Sequence, residues 1–499
     1  MARSCVFRIG LRVCVFTIFS ISLSVFLLWS SLLKYELLRT GALTEGSLAA
    51  RLYETIPFDV RQNVYVFNIT NRKEFLSGAK PRFEQLGPYT FNLTLRKEMS
   101  WAADGSLSYK ERRIFMFKPE LSTGQLSDRV YTVDPVYTVA LSVIDTLPAY
   151  LQAFLRLFIK SRSILFERTV DEILYSGYSD PLANIAHLFK KDLPVIDGKI
   201  GYLRALNNSD DGSMTVYSGD ANTLRQRNEV FRWMGQDYIP HYAEPCNKLY
   251  GENGELFPAF DLSAPPAEIH VFQPMFCRPW TLHFNGSSRP YGVVLAKFNT
   301  RDDIFSPTGD AEFDRCLQPR GWPRGVFDIS DCQHGFPALI SLPHFLRAEE
   351  CLEDVEGLEP DPSLHDFEME IYALLGIPVR PAIRAQINVR IQRKFSPESP
   401  ALVYPILWQE IVLAEQDSEY LSSIIYYALS VPSVLLCVIL FIISSASLLF
   451  LIIDIRSSMR KRHGAEDDER PIWSSADILE NDTTEPAPQQ NPDDLRDTS

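Results

Sequence analysis

The sequence predicts a mainly β protein with some α: one large, mostly antiparallel β domain carrying a small helical insertion, held between two membrane-spanning helices. Three observations predict it. Several segments alternate apolar and polar residues as half-buried strands do. Helical periodicity is concentrated in one window, about residues 145–190. Two stretches, residues 13–33 and 424–453, are uncharged for 21 and 30 positions. Each is long enough to cross roughly 30 Å of hydrocarbon at about 1.5 Å per residue.

The N-terminal segment 1–12 carries Arg3, Arg8 and Arg12 ahead of the first stretch. Its apolar core exceeds the length usual for a signal peptide, so residues 13–33 are read as an uncleaved anchor. The second stretch is followed by Arg456, Arg460, Lys461 and Arg462. Positive charge marks the cytosolic side, so both termini are expected there. Residues 34–423 then face the outside or a lumen. Cys5 lies where palmitoylation would reinforce the anchor. Pro432 lies inside the second stretch and is tolerated there as a kink.

Within the large loop, YTFNLTLR (89–96) places Tyr89, Phe91, Leu93 and Leu95 on one face and Asn92 on the other. AQINVRIQ (385–392) alternates Ala385, Ile387, Val389 and Ile391 against Gln386, Asn388, Arg390 and Gln392. VYVFNIT, IHVFQPMF and GVVLAKFN are strand-like as well. In the helical window, Leu151, Phe154, Leu155 and Phe158 follow the i, i+3, i+4, i+7 rule, with Gln152, Arg156 and Lys160 as a narrow polar stripe. Pro148 suits the first turn. Further helices are predicted over residues 170–175 and 182–190.

Sequons at Asn68, Asn92, Asn207 and Asn285 all fall between the spans, where glycosylation is possible; Asn481 lies in the tail. Cys246, Cys277, Cys316, Cys332 and Cys351 share the loop, and an oxidising compartment permits disulfides there. Five is odd, so one thiol is left over. The tail, residues 454–499, is expected to be acidic and disordered. From Gly464 onward it holds eleven acids against two arginines, which is nine of the chain's fourteen net negative charges.

The rest of the chain is near neutral and has no extended basic face, which argues against nucleic-acid binding. There is no H-E-x-x-H, no phosphate-binding glycine loop and no complete G-x-S-x-G; the nearest, Gly177 to Pro181, lacks its final glycine. Metal-ligand spacing is likewise missing, with no C-x-x-C. The chain is read as a non-enzyme that needs no cofactor and no metal.

Four stretches carry a resemblance: EQLGPYTF (84–91), ERTVDEILYSGYSDPL (167–182), GVFDISDCQHGFPALISLPHF (325–345) and YPILWQE (404–410). Their order and spacing, with the two-span topology, resemble the class B scavenger receptor family over about residues 10–455. The resemblance implies a large antiparallel β-barrel ectodomain with an apical helical bundle and an internal tunnel leading toward the bilayer. It implies disulfides Cys246–Cys316 and Cys277–Cys332, with Cys351 as the odd cysteine. It matches Lys160 to an apical lysine used in ligand capture and Arg162 to a second base beside it. Arg156, Phe154 and Phe158 complete the expected apical ligand-binding set. The opposing reading of Lys160 and Arg162 is that they end a helix and favour its dipole.

The function so implied is capture of lipids, fatty acids, sterols or lipoprotein particles at the apex, with lipid passed through the tunnel to the membrane. The alternative is a receptor or sorting carrier for a protein ligand at the apex, in a lysosomal or endosomal rather than a plasma membrane. A titrating histidine would suit such a carrier, yet residues 148–186 hold none and His187 is the nearest. A homo-oligomer is compatible with either. The acidic tail is longer than the short tails the family leads one to expect.

Overall fold

The computed structural model describes residues 2–144, 148–189, 195–220, 226–306, 316, 322–333, 335–392 and 401–468. The chain divides into two compact units, one of residues 1–27 with 437–499 and one of residues 28–436.

The first unit is built from parts of two long helices. Helix α1 runs Ala2–Thr40, and the C-terminal helix runs Val431–Asp468. Both contain stretches apolar enough to span a membrane, Val6–Trp29 and one within Glu415–Arg460. Inside this unit the helices meet through polar groups. The Ser22 and Ser444 hydroxyls pair at 2.7 Å, and the Arg12 guanidinium binds Asp454 and Ser458. The rings of Phe26 and Phe441 lie 6.3 Å apart, beyond the serine pair on the side away from Arg12. The C-terminal helix continues through residues 454–468, which the sequence assigned to the tail. Residues 469–499, including Asn481, lie outside the described residues.

In the second unit the strands are β1 (Val60–Ile69), β2 (Phe83–Trp101), β3 (Ser106–Phe117), β4 (Arg129–Val133), β5 (Leu165–Thr169), β6 (Tyr178–Ser179), β7 (Lys199–Ile200), β8 (Ser209–Tyr217) and β9 (Val230–Trp233). They continue as β10 (Glu268–Gln273), β11 (Arg278–Ser288), β12 (Leu295–Asn299), β13 (Val326–Asp328), β14 (Ala338–Ser341), β15 (Glu368–Tyr372), β16 (Ile377–Gln392) and β17 (Ala401–Leu413). The main sheet runs β10-β11-β12-β15-β16-β17-β1-β2-β3-β8-β9, with β13 and β14 attached through β16. Its pairings are antiparallel. The two ends approach each other at Glu252, which bridges Glu229 beside β9 and Val271 in β10. The Val230 N–H donates to the Gly251 carbonyl and the Phe272 N–H to that of Glu252. The sheet is thus nearly closed into a barrel, the antiparallel architecture the sequence predicts.

Helices α2 (Leu48–Glu54) and α3 (Arg72–Leu76) flank β1 in sequence. The helical insertion holds α4 (Pro135–Val143), α5 (Ala149–Lys160), α6 (Val170–Leu174) and α7 (Pro181–Phe189). Helix α4 escapes the periodicity reading because its β-branched run VYTVALSV looks like strand. Segment SILFERT, read as part of the helical window, instead ends in β5, paired with β4.

Alternation sets the burial. Tyr89, Phe91 and Leu93 are buried while Asn92 is half-buried. One core joins barrel residues such as Val64, Val66 and Tyr404 to Val133, Tyr137 and Ile173 of the insertion. A second lies around Trp280, Phe298, Met369 and Ile371. The predicted polar face of β16 differs from expectation: Gln386 and Asn388 are fully buried. The segment after β14 covers them, and their amides bond His344 N–H and Ser341 Oγ at 2.7 and 3.1 Å.

Both disulfides implied by the resemblance are present: Cys246–Cys316 and Cys277–Cys332. Cys351 is buried as a free thiol. Burial pushes it up to about 12, which leaves it unreactive.

Candidate functional site

The site is built on α5. Pro148 opens the helix from an extended conformation, and Ser161 closes it, its N–H donating to the Phe158 carbonyl at 3.2 Å. The inward face is apolar. Leu155 is buried in a small core with Val136, Ala140, Leu182 and Ala183, and Phe158 and Ile159 pack against it. Phe158, expected as a ligand contact, is therefore half-buried among the helices. The side chains of Phe154 and Cys5 lie outside the described residues.

The outward face mixes apolar and basic groups. Tyr150 and Leu157 are 73% and 72% exposed, with Ala153, Arg156 and Lys160 exposed beside them. Tyr150, Ala153, Leu157 and Lys160 follow helical spacing, so they form one stripe. Lys160 has no ion-pair partner among the described residues. Sequence reading found the two bases but missed Tyr150 and Leu157. The available signal was the i, i+7 spacing of two large apolar residues that the buried stripe does not use.

Arg162 has a different environment. Its guanidinium reaches two carboxylates, Asp134 and Asp180, the latter at 2.5 Å. Both are N-caps. Asp134 Oδ1 accepts the N–H groups of Val136 and Tyr137 at the start of α4. Asp180 Oδ1 accepts those of Leu182 and Ala183 at the start of α7. In each case a proline follows the aspartate, so Asp134-Pro135 and Asp180-Pro181 are legible helix starts. Burial pushes the Asp134 carboxyl up while Arg162 pulls it down. Arg162 thus ties the starts of two helices to the end of a third, and its donors face inward.

The sequon asparagines divide in two. Asn207 and Asn285 are exposed, whereas Asn68 and Asn92 are half-buried with their amides bonded to Glu84 and Asp59.

Inside the sheet, the register that buries Phe91 and Leu93 also turns Lys97 inward, where it is fully buried. It pairs with Glu111 at 2.9 Å and Glu255 at 2.5 Å, and lies 4.5 Å from the Tyr53 ring. Burial would push the Lys97 ammonium down, but the two carboxylates hold it above its ordinary value. Burial, with the neighbouring Glu111 carboxylate, also raises Glu255 against the pull of Lys97. Strict alternation from Tyr89 would have placed Lys97 inward. A cavity of about 270 Å³ lies elsewhere, beside Trp322, Cys351, Arg390 and Val403. It is smaller than the ~300–1,000 Å³ usual for ligand pockets.

The CD36 family model matches residues 12–456. "Scavenger receptor class B member 1" of Cricetulus griseus is 29% identical over 402 residues, covering 77% of this chain and 76% of the relative. "Lysosome membrane protein 2" of Homo sapiens is 26% identical over 450 residues, covering 87% of this chain and 92% of the relative. Two terminal helices able to span a membrane, a nearly closed antiparallel sheet and a family match over nearly the whole chain agree: this protein belongs to the CD36 family.

Proposed function

We propose that this scavenger-receptor-type membrane protein captures lipids, fatty acids, sterols or lipoprotein particles on the outward face of α5 and passes lipid through a tunnel in the barrel to the membrane. The observation that carries the reading is the exposed stripe of Tyr150, Leu157 and Lys160, with Arg156 beside it. Exposed apolar side chains flanked by bases suit an amphiphile. Tyr150 and Leu157 take acyl surface, and Lys160 and Arg156 attract carboxylate or phosphate heads.

The driving physics is solvation. Moving one CH₂ into water costs about 0.8 kcal/mol, so a sixteen-carbon chain faces on the order of 12 kcal/mol crossing water unaided. A dry conduit removes most of that barrier without a cofactor or a bond-making residue. Glycans on Asn68, Asn92, Asn207 and Asn285 and a palmitoyl group on Cys5 belong to the same reading, with both termini cytosolic.

The test is uptake of a fluorescent fatty acid by cells expressing equal surface amounts of the wild type, Lys160→Glu or Leu157→Asp. Uptake should fall several-fold in both variants and to the level of untransfected cells in the double variant. Equal uptake by all three would remove α5 from the mechanism.

A second reading is a sorting carrier that grips a protein with the same stripe in a lysosomal membrane. Its support is the 92% coverage of "Lysosome membrane protein 2". Binding of a soluble protein that survives delipidation and is lost in Leu157→Asp would favour it.

A further inference from the structure

We propose that His344 and His365 form an acid-released latch that holds residues 343–366 against the sheet face opposite Val64 and Val66. The two imidazoles stack with centroids 4.2 Å apart and planes 9° from parallel. Each is fixed in one tautomer by the backbone. His344 Nδ1 accepts the Glu359 N–H at 3.0 Å, and His365 Nδ1 accepts the Asp361 N–H at 2.9 Å. An Nδ1 that accepts carries no proton, so both rings are neutral while the segment is seated. His344 Nε2 then donates to Gln85 Oε1 at 2.7 Å, an oxygen that also accepts the Trp408 indole N–H at 2.6 Å.

Four strands receive the latch. Gln85 lies in β2, Phe67 in β1, Gln386 in β16 and Trp408 in β17, and the Trp408 ring lies 5.5 Å from His365 and 6.3 Å from His344. Tyr65 of β1 stacks on Trp408 at 3.9 Å. The backbone at His344 is left-handed, with φ +55°. A non-glycine residue keeps that conformation only where its contacts over-determine it.

Protonation breaks both Nδ1 bonds, while the Nε2 donor bond to Gln85 is unaffected. A proton on Nδ1 points at a backbone N–H that has no lone pair to offer, and two stacked cations repel. The charged groups nearby cannot absorb both. Among the described residues, His344 meets amides and rings and no carboxylate. His365 faces Asp361 on its own turn, whose carboxylate already caps Ser363, and the Arg384–Glu410 pair from β16 and β17, closed at 3.0 Å. Burial, and for His344 its neighbour His365, pushes both imidazoles down to about 4. The folded values lie below the unfolded histidine value of about 6.5. The latch is therefore fully closed above that pH and is lost as the pH falls toward 4.

The test is hydrogen exchange on the full-length protein in nanodiscs at about pH 7 and about pH 4.5, corrected for intrinsic rate. Protection of amides in 343–366 should fall at least about tenfold at the lower pH, while peptides from β3 and β8, which hold no histidine, keep theirs. In the His344→Gln, His365→Gln double variant, protection of this segment should no longer change with pH. Equal wild-type protection at both pH values, or a loss shared equally by β3 and β8, would overturn the latch. Both readings come from the wild type, so they stand even where the variant folds poorly, and neither depends on lipid transfer.

Discussion

Arg162 and Lys160 stand two residues apart and do opposite things. Lys160 ends α5 in solvent, whereas Arg162 is spent on Asp134 and Asp180, two caps that are themselves almost fully buried. Removing the guanidinium leaves two buried carboxylates without a counter-charge. Arg162→Ala should therefore lower the stability of the helical cluster by about 3–5 kcal/mol. The reading is earlier loss of protection in α4 and α7 during a urea titration followed by hydrogen exchange; unchanged protection would contradict the assignment. Spacing alone made the two bases look equivalent. What separates them is that the aspartates starting two neighbouring helices both converge on Arg162, and that convergence is visible only when distant caps are brought together. Lys97 gives the same lesson inside the sheet. The alternation that reveals the strand also dictates an inward lysine, but its partners Glu111 and Glu255 come from elsewhere in the chain.

At the scale of elements, the strands were the most legible part. Pattern alone found β2 and β16, because one buried face imposes period two. It failed on the second face of β16, where Gln386 and Asn388 were read as solvated. Their burial depends on a covering segment some forty residues upstream, which no local window contains. Helix α4 was missed for a related reason: its β-branched residues favour strand locally, and packing against Leu155, Leu182 and Ala183 decides otherwise. The disulfides rest on the family likeness, since five cysteines allow many pairings. The Cys277–Cys332 bridge closes a separation of 55 residues. On the chain-entropy estimate it adds about 4 kcal/mol. The Cys277→Ser, Cys332→Ser double variant should melt at clearly lower temperature than the wild type; an unchanged melting temperature would show that local packing, with Trp280 and Phe276, suffices without it.

For the whole molecule, the family and the fold were readable from motif order together with two apolar stretches, whereas the site was only half readable. The bases of α5 stand out in the sequence, and the exposed Tyr150 and Leu157 do not, because the same residue types elsewhere in the helix are buried. The proposed function joins that stripe to a solvent-free path through the barrel. The most direct measurement is photocrosslinking of the full-length, membrane-reconstituted protein with a diazirine fatty acid, mapped by peptide mass spectrometry with unlabelled fatty acid as competitor. Competable labels on the inward-facing positions of β2, such as Leu93, Leu95 and Met99, in addition to α5, are the predicted result. Labels confined to α5 and the two terminal helices, with none on the inward face of any strand, would contradict passage through the barrel.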